Sequence, residues 1–193
     1  MLRNGARYVV AVEPQVSHAN AMRARFAGMV GNAAIICAAV SDHIGMGSLH
    51  ICRQVDTISS LEKRWTHGRF SGYDWYATVP VPLVTLDALI RQYGVPDYIK
   101  IDVEGHEHAV VAGLSQPIKV VVFEFAKEVL DNTRLAMQQF HKLGNYRYAC
   151  SIGDSTFDNR WYDRHDLIDR LRADPNTDLW GNIYAYLFTG IQQ

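Results

Sequence analysis

The chain has 193 residues, 48% of them apolar and 20% charged, with a formal net charge of −1. That length suits one domain with a sizeable core, and a near-neutral balance disfavours nucleic acid, which is held by an excess of Lys and Arg. No apolar run approaches the roughly 18–20 residues that cross a bilayer.

The N-terminus lacks the apolar region and small-residue cleavage site of a secretory signal. Cys37, Cys52 and Cys150 are odd in number and widely spaced, which reads as core residues of a reduced compartment, not as a disulfide or zinc framework. A cytoplasmic protein without a membrane span is the expectation.

In chain order, the β-branched run 7–12 predicts a buried strand that stops at Glu13-Pro14. Ser17 is a candidate cap for a helix carrying Met22, Phe26 and Met29 on one face. A second buried strand is expected over 33–40, and 48–51 reads as a hairpin arm set off by Gly45 and Gly47. Residues 53–78 show no period and gather Trp65, His67, Phe70, Tyr73, Trp75 and Tyr76, the pattern of an insertion or long loop. Pro80 and Pro82 assign 79–84 to an edge rather than a central strand.

Thr85 is placed to cap a helix over 86–93 that Gly94 ends. A strand over 98–101 follows, then a helix from about Glu104 to Leu114 and a strand over 119–125. The last elements expected are a helix over 132–143, a strand over 146–150, a helix over 162–173 and a strand over 183–188. Strands alternating with helices predict a single α/β domain over 1–193, with a largely parallel sheet and helices on both faces.

In open α/β sheets, ligands bind beyond the carboxyl ends of the strands. The residues there are Glu13, then 39–42, then Asp102 to Glu107, then Glu124, and three of these four positions are acidic. A carboxylate in the position of Glu13 suits a ribose diol, and equally a solvated strand end. Lys100 faces away from Ile99 and Ile101 and is expected either to snorkel or to pair with a carboxylate. Asp102, Glu104 and Glu107 exceed what one helix cap requires, and crowded carboxyls drive their pKa values apart. No metal is expected, because the strand-to-helix change scatters Asp102, Glu104 and His106 over different faces. No Walker loop, Gly-x-Ser-x-Gly elbow or Cys-x-x-Cys is present.

Together AVEP (11–14), AVSD (39–42), VTLDALI (84–90), YIKIDVEGHE (98–107) and VVVFEF (120–125) resemble the FkbM family of S-adenosylmethionine-dependent methyltransferases, in register over about 8–148. The resemblance implies a Rossmann-like class I methyltransferase sheet and methyl transfer from S-adenosylmethionine to oxygen. The acceptor it implies is a small molecule or glycan: a hydroxyl of a sugar, glycolipid or natural product. It makes Glu13 the ribose-binding acid and sets Ala39 and Val40 under the adenine. Asp102 lines the cofactor side and, with Glu104, the catalytic acceptor side. His106 stands where the family pattern commonly has a small residue, so it inherits no role.

In that fold a first strand and Gly-rich turn precede the strand read at 7–12. Here only six residues do, with Gly5 the sole glycine among them. The sheet is therefore expected to lack that strand and turn, exposing two edges that offer a route to a homo-oligomer. The chain alone is then expected to bind the cofactor weakly or not at all. A rival from another class is a non-catalytic remnant of the fold, serving as a binding or assembly module. A dinucleotide oxidoreductase needs the same absent glycine fingerprint and ranks below both.

Overall fold

The structure is a computed structural model, and it describes residues 5–29, 32–153, 155, 157 and 160–188. Strand β1 (Val9–Val12) leads through helix α1 (Val16–Phe26) to β2 (Ala33–Ile36), which pairs with β1 in parallel. The helix begins ahead of the predicted Ser17 cap. Its N-cap is Gln15, whose side chain makes no capping bond, and the Glu13 carboxylate instead accepts from the Gln15 amide at 2.8 Å.

The expected single strand over 33–40 is two: β2, and a two-residue β3 (Ala39–Val40) in another sheet. Next come β4 (Gly45–Ile51) and β5 (Ala77–Val84), an antiparallel pair in which Gly45 and Gly47 lie inside the strand. Leu83 packs over Gly47, where a Cβ would come within 2.8 Å of a Leu83 methyl. The order of this sheet is β3-β5-β4, so β5 is central and the edge assignment is corrected. The prolines are nonetheless accommodated. β3 reaches only Leu83 and Val84, and the Val84 carbonyl, which accepts from the Ser41 amide, marks the side that Pro80 and Pro82 also face. Their missing N–H groups fall where β5 has no strand neighbour among the described residues.

Helix α2 (Leu86–Tyr93) is capped as predicted, Thr85 Oγ1 accepting from the Ala88 amide at 3.1 Å. Strand β6 (Tyr98–Ile101) matches its expected bounds, and α3 (Glu107–Ala112) is shorter at both ends than read. β7 (Val120–Ala126), α4 (Leu130–Leu143), β8 (Tyr146–Ile152), α5 (Arg164–Ala173) and β9 (Trp180–Leu187) complete the order. β6 and β7 are parallel, and β9 runs antiparallel between β7 and β8, giving the order β6-β7-β9-β8.

The largely parallel sheet is also corrected. The fold is α/β with mixed sheets, in which the three parallel pairings are matched by three antiparallel ones among the described residues. β4 and β5 form a hairpin around a long excursion, and the return of β9 between β7 and β8 reverses direction twice. Among the described residues, β1 pairs only with β2 and β6 only with β7.

The main core joins α2, α3, α4 and α5 to β6–β9. Phe123, Phe125, Phe140, Met137, Tyr148 and Ile183 are essentially solvent-free within it. A smaller core lies in the β3-β5-β4 sheet around Leu49, Val81 and Leu83. A third gathers Trp65, Ala126 and Val129 under Phe70 and Trp75. The predicted loop therefore carries its own apolar anchor, and short 3-10 turns occupy 56–58, 63–66 and 68–70. Among the described residues, no helix is long and apolar enough to cross a membrane.

Candidate functional site

The ends of β1, β3 and β6 and the loop after β4 enclose one cavity of about 170 Å³. Glu13, Ala39, Val40, Asp102 and Glu104 all line it, so five residues chosen from three separate sequence stretches meet at one place. Gln15 ahead of α1, His18 within it, and Thr57, Ser59, Ser60 and Leu61 of the loop form the facing wall. A 2.9 Å contact between His18 Nε2 and Asp56 Oδ2, with Gln15 Nε2 donating to the Asp56 carbonyl at 2.9 Å, ties that wall to α1. Glu13 does two things here. It caps α1 through the Gln15 amide, and its Oε1 lies 3.9 Å from His18 Nδ1.

The turn after β6 explains the late start of α3. Glu104 has φ 56°, the one described non-glycine residue with positive φ, and Gly105 follows at 92°. Two successive left-handed residues cannot begin a helix, and a non-glycine residue held there stores strain that surrounding contacts must offset.

Those contacts are present. Ser60 Oγ donates to the Glu104 carbonyl at 2.7 Å, Asn132 Nδ2 donates to the Gly105 carbonyl at 2.9 Å, and Glu107 Oε1 accepts from the Val103 and Gly105 amides at 3.3 Å each. The Trp65 ring lies so close beneath Gly105 that a Cβ there would come 2.9 Å from Cε3. Glu107, only 3% exposed, is thus a structural acid that secures the turn.

The remaining carboxyls of this rim are concentrated. Asp102, Glu104 and Glu124 each offer an oxygen within 4.8 Å of the others. Glu124 comes from β7, whose register sets Phe123 against Ile101, so the two acids follow their paired strand residues on adjacent parallel strands. Lys100 supplies the local positive charge. Its Nζ lies 3.1 Å from Asp102 Oδ2 and donates to Asn182 Oδ1 at 2.8 Å, as the expected carboxylate pairing requires.

Burial first, then the charges of Asp102 and Glu107, push Glu104 up to about 8. Glu124 is raised chiefly by burial and next by Glu104. Burial also lifts Glu107 to about 7, against the pull of its amide donors. A cluster in which acids hold protons near neutrality can both donate and accept hydrogen bonds.

Trp65, Glu124 and His106 were assigned no role from the sequence, although Glu124 and His106 fall at the strand ends where ligands were expected. Trp65 is 6% exposed, and its indole N–H lies beside the Glu104 carboxyl, drawing its pKa down slightly, yet closes no hydrogen bond of ordinary geometry. Glu124 Oε2 is likewise shut off from solvent without a partner. His106 lines the cavity, with Nε2 3.0 Å from Ser41 Oγ. Burial, then His108, holds its pKa below the usual imidazole range, so the ring is neutral at pH 7. The position of Glu124 at a strand end was legible in the sequence. Trp65 carried no signal beyond its place in an aromatic loop.

The family model described as Methyltransferase FkbM domain matches residues 1–148 of the 193. No curated protein and no solved structure matches the chain.

Proposed function

The chain belongs to the FkbM methyltransferase family, and from that premise we propose that it is an S-adenosylmethionine-dependent O-methyltransferase of a sugar, glycolipid or natural-product hydroxyl. The observation that carries the reading is the convergence of Glu13, Ala39, Val40, Asp102 and Glu104 on one cavity. These residues fit the nucleoside half of such a cofactor: a carboxylate at a strand tip for the ribose diol, and small apolar side chains beside it for the adenine. When bound, the cofactor supplies an electrophilic methyl group on a sulfonium. The protein's part is positioning, and proton removal from the acceptor hydroxyl by Asp102 or Glu104. Within a Rossmann-like class I sheet, β1 and β6 would flank the position of that fold's first strand and Gly-rich turn.

A cavity of about 170 Å³ is smaller than the roughly 300–1,000 Å³ of ordinary ligand pockets. That favours weak cofactor binding and gives the second reading, a non-catalytic binding or assembly module, its support. Calorimetry with S-adenosylhomocysteine up to millimolar concentration separates the two. Weak binding that Glu13→Ala abolishes is the expected result. An absence of heat at millimolar ligand selects the module, and micromolar affinity overturns the expectation of weak binding while strengthening the enzyme.

A further inference from the structure

A short strap closes the cavity on its loop side. Residues 53–57 are exposed, Ile58 is half-buried, and the 3-10 turn Asp56–Ile58 buries no side chain. Both ends of the strap are pinned. Arg53 donates to Asp74 through its amide and its Nε, and Ser60 exchanges two backbone hydrogen bonds with His50. Between those pins, the described hydrogen bonds to the α1 side all end on Asp56. Its carbonyl accepts from Gln15 Nε2 at 2.9 Å, and its Oδ2 lies 2.9 Å from His18 Nε2. Gln15 Nε2 also faces His18 Nδ1 at 3.4 Å, so an amide hydrogen takes Nδ1 as acceptor and the ring proton on Nε2 is the one given to Asp56. We propose that residues 55–58 are a gate over the cavity and that Asp56 is its latch, holding the free protein in a closed form that a nucleoside must displace.

Gln15, His18 and Thr57 line the cavity, and Asp56 stands outside that lining. Asp56 therefore engages two donors of the wall that would otherwise be free for a ligand's oxygens. Its hold also keeps Thr57 in place, and the closed cavity of about 170 Å³ falls short of the roughly 300–1,000 Å³ of ordinary ligand pockets. Release of Asp56 frees both donors and lets the Thr57 side of the wall withdraw. The latch is weak enough to open. The Asp56 and His18 side chains are 58% and 30% exposed, and pairs of that kind are worth up to about 1 kcal/mol. A segment with no buried side chain and exposed hydrogen bonds opens at low free energy. The rest of the loop stays where it is, because Ser60 donates to the Glu104 carbonyl and Trp65 packs under Gly105. The inference rests on the methyl-transfer reading for the identity of the ligand, and not for the latch itself.

The test compares the full chain with Asp56→Ala and Asp56→Asn in two measurements. The first is hydrogen exchange of the Ile58 and Ser59 amides, which close the 3-10 turn on Val55 and Asp56. Asp56→Ala is expected to speed it about fivefold after correction for intrinsic rates, and Asp56→Asn, whose amide oxygen still accepts from His18, to stay within about twofold of the wild type. The second is calorimetric titration with S-adenosylhomocysteine. Because a closed form lowers apparent affinity by the fraction of open protein, Asp56→Ala is expected to bind about fivefold more tightly. A residue that merely supported the wall would give the opposite sign. Exchange no faster in Asp56→Ala, an Asp56→Asn indistinguishable from Asp56→Ala, or binding that is unchanged or weaker in Asp56→Ala overturns the latch. Faster exchange in Asp56→Ala with no binding of S-adenosylhomocysteine by any of the three chains keeps the latch and sinks the methyltransferase reading alone.

Discussion

Gly105 and the two acids beside it carry the most consequence per residue. At φ 92°, with Trp65 2.9 Å from where a Cβ would stand, Gly105→Ala combines backbone strain with a ring clash. It is expected to cost about 2–4 kcal/mol in urea unfolding, and a loss below about 0.5 kcal/mol would show that the turn is looser than described. Glu107 sets a pH dependence whose sign follows from its raised pKa. The folded protein keeps the Glu107 proton from about 4.5, the unfolded value, to about 7, so stability falls as pH rises through that window and is flat above it. Glu107→Gln, which keeps an acceptor for the two amides, should match the wild type at pH 4 and exceed it on the order of 2 kcal/mol at pH 8. A difference in melting temperature that does not change with pH would remove this account. Glu104, raised to about 8, is ionised only in the alkaline range. If it takes the acceptor proton, methyl transfer rises with pH up to about 8 and levels off, whereas a flat profile between pH 6 and 9 assigns that task elsewhere.

Among the elements, the segment between β4 and β5 is a wall and a clamp. It reaches the β6 turn through Ser60, underlies Gly105 through Trp65, and meets α4 where Arg64 Nη2 donates to Asn132 Oδ1 at 3.2 Å. Asn132 is the shared node, donating to the Gly105 carbonyl at 2.9 Å and contacting Glu62 Oε2 at 3.4 Å. Asn132→Ala is expected to cost about 1–2 kcal/mol and to speed amide exchange of residues 103–106. Unchanged exchange there would mean that Ser60 and Trp65 hold the turn unaided. None of these contacts was legible in the sequence, because each joins residues 27 to 70 positions apart. Thr85, by contrast, caps α2 three residues ahead of its partner amide, a local arrangement that the pattern Thr-x-x-Ala before an apolar helix face already implied. The start of α3 was misread for the same reason in reverse. Nothing in the residue type Glu signals the left-handed backbone that tertiary contacts impose on Glu104.

At the level of the molecule, β1 and β6 each leave one edge without a strand partner among the described residues. The amides of Val9 and Glu13 donate to the carbonyls of Asn32, just before β2, and Ile36 within it, so those of Val10 and Val12 point to the open side. An apolar edge of this kind invites pairing with another chain. Light scattering is expected to show association that grows with concentration, and Val10→Pro, which removes an outward donor while keeping the pairing with β2, is expected to reduce it. Association unaffected by that change would exclude the β1 edge as the contact.

The sequence alone determined where most strands and helices lie, because periodicity and capping act over a few residues. It also identified the acids at strand ends, because parallel α/β order makes those positions special. It was enough to reveal the FkbM resemblance that the family match bears out. Tertiary structure decided what those acids do for one another. Only packing brought Glu124 and Trp65 beside Glu104, made Glu107 a brace, split 33–40 between two sheets and centred β5 despite its prolines. Desolvation and mutual repulsion depend on distances that no spacing along the chain contains, and these raise the carboxyl pKa values around Glu104.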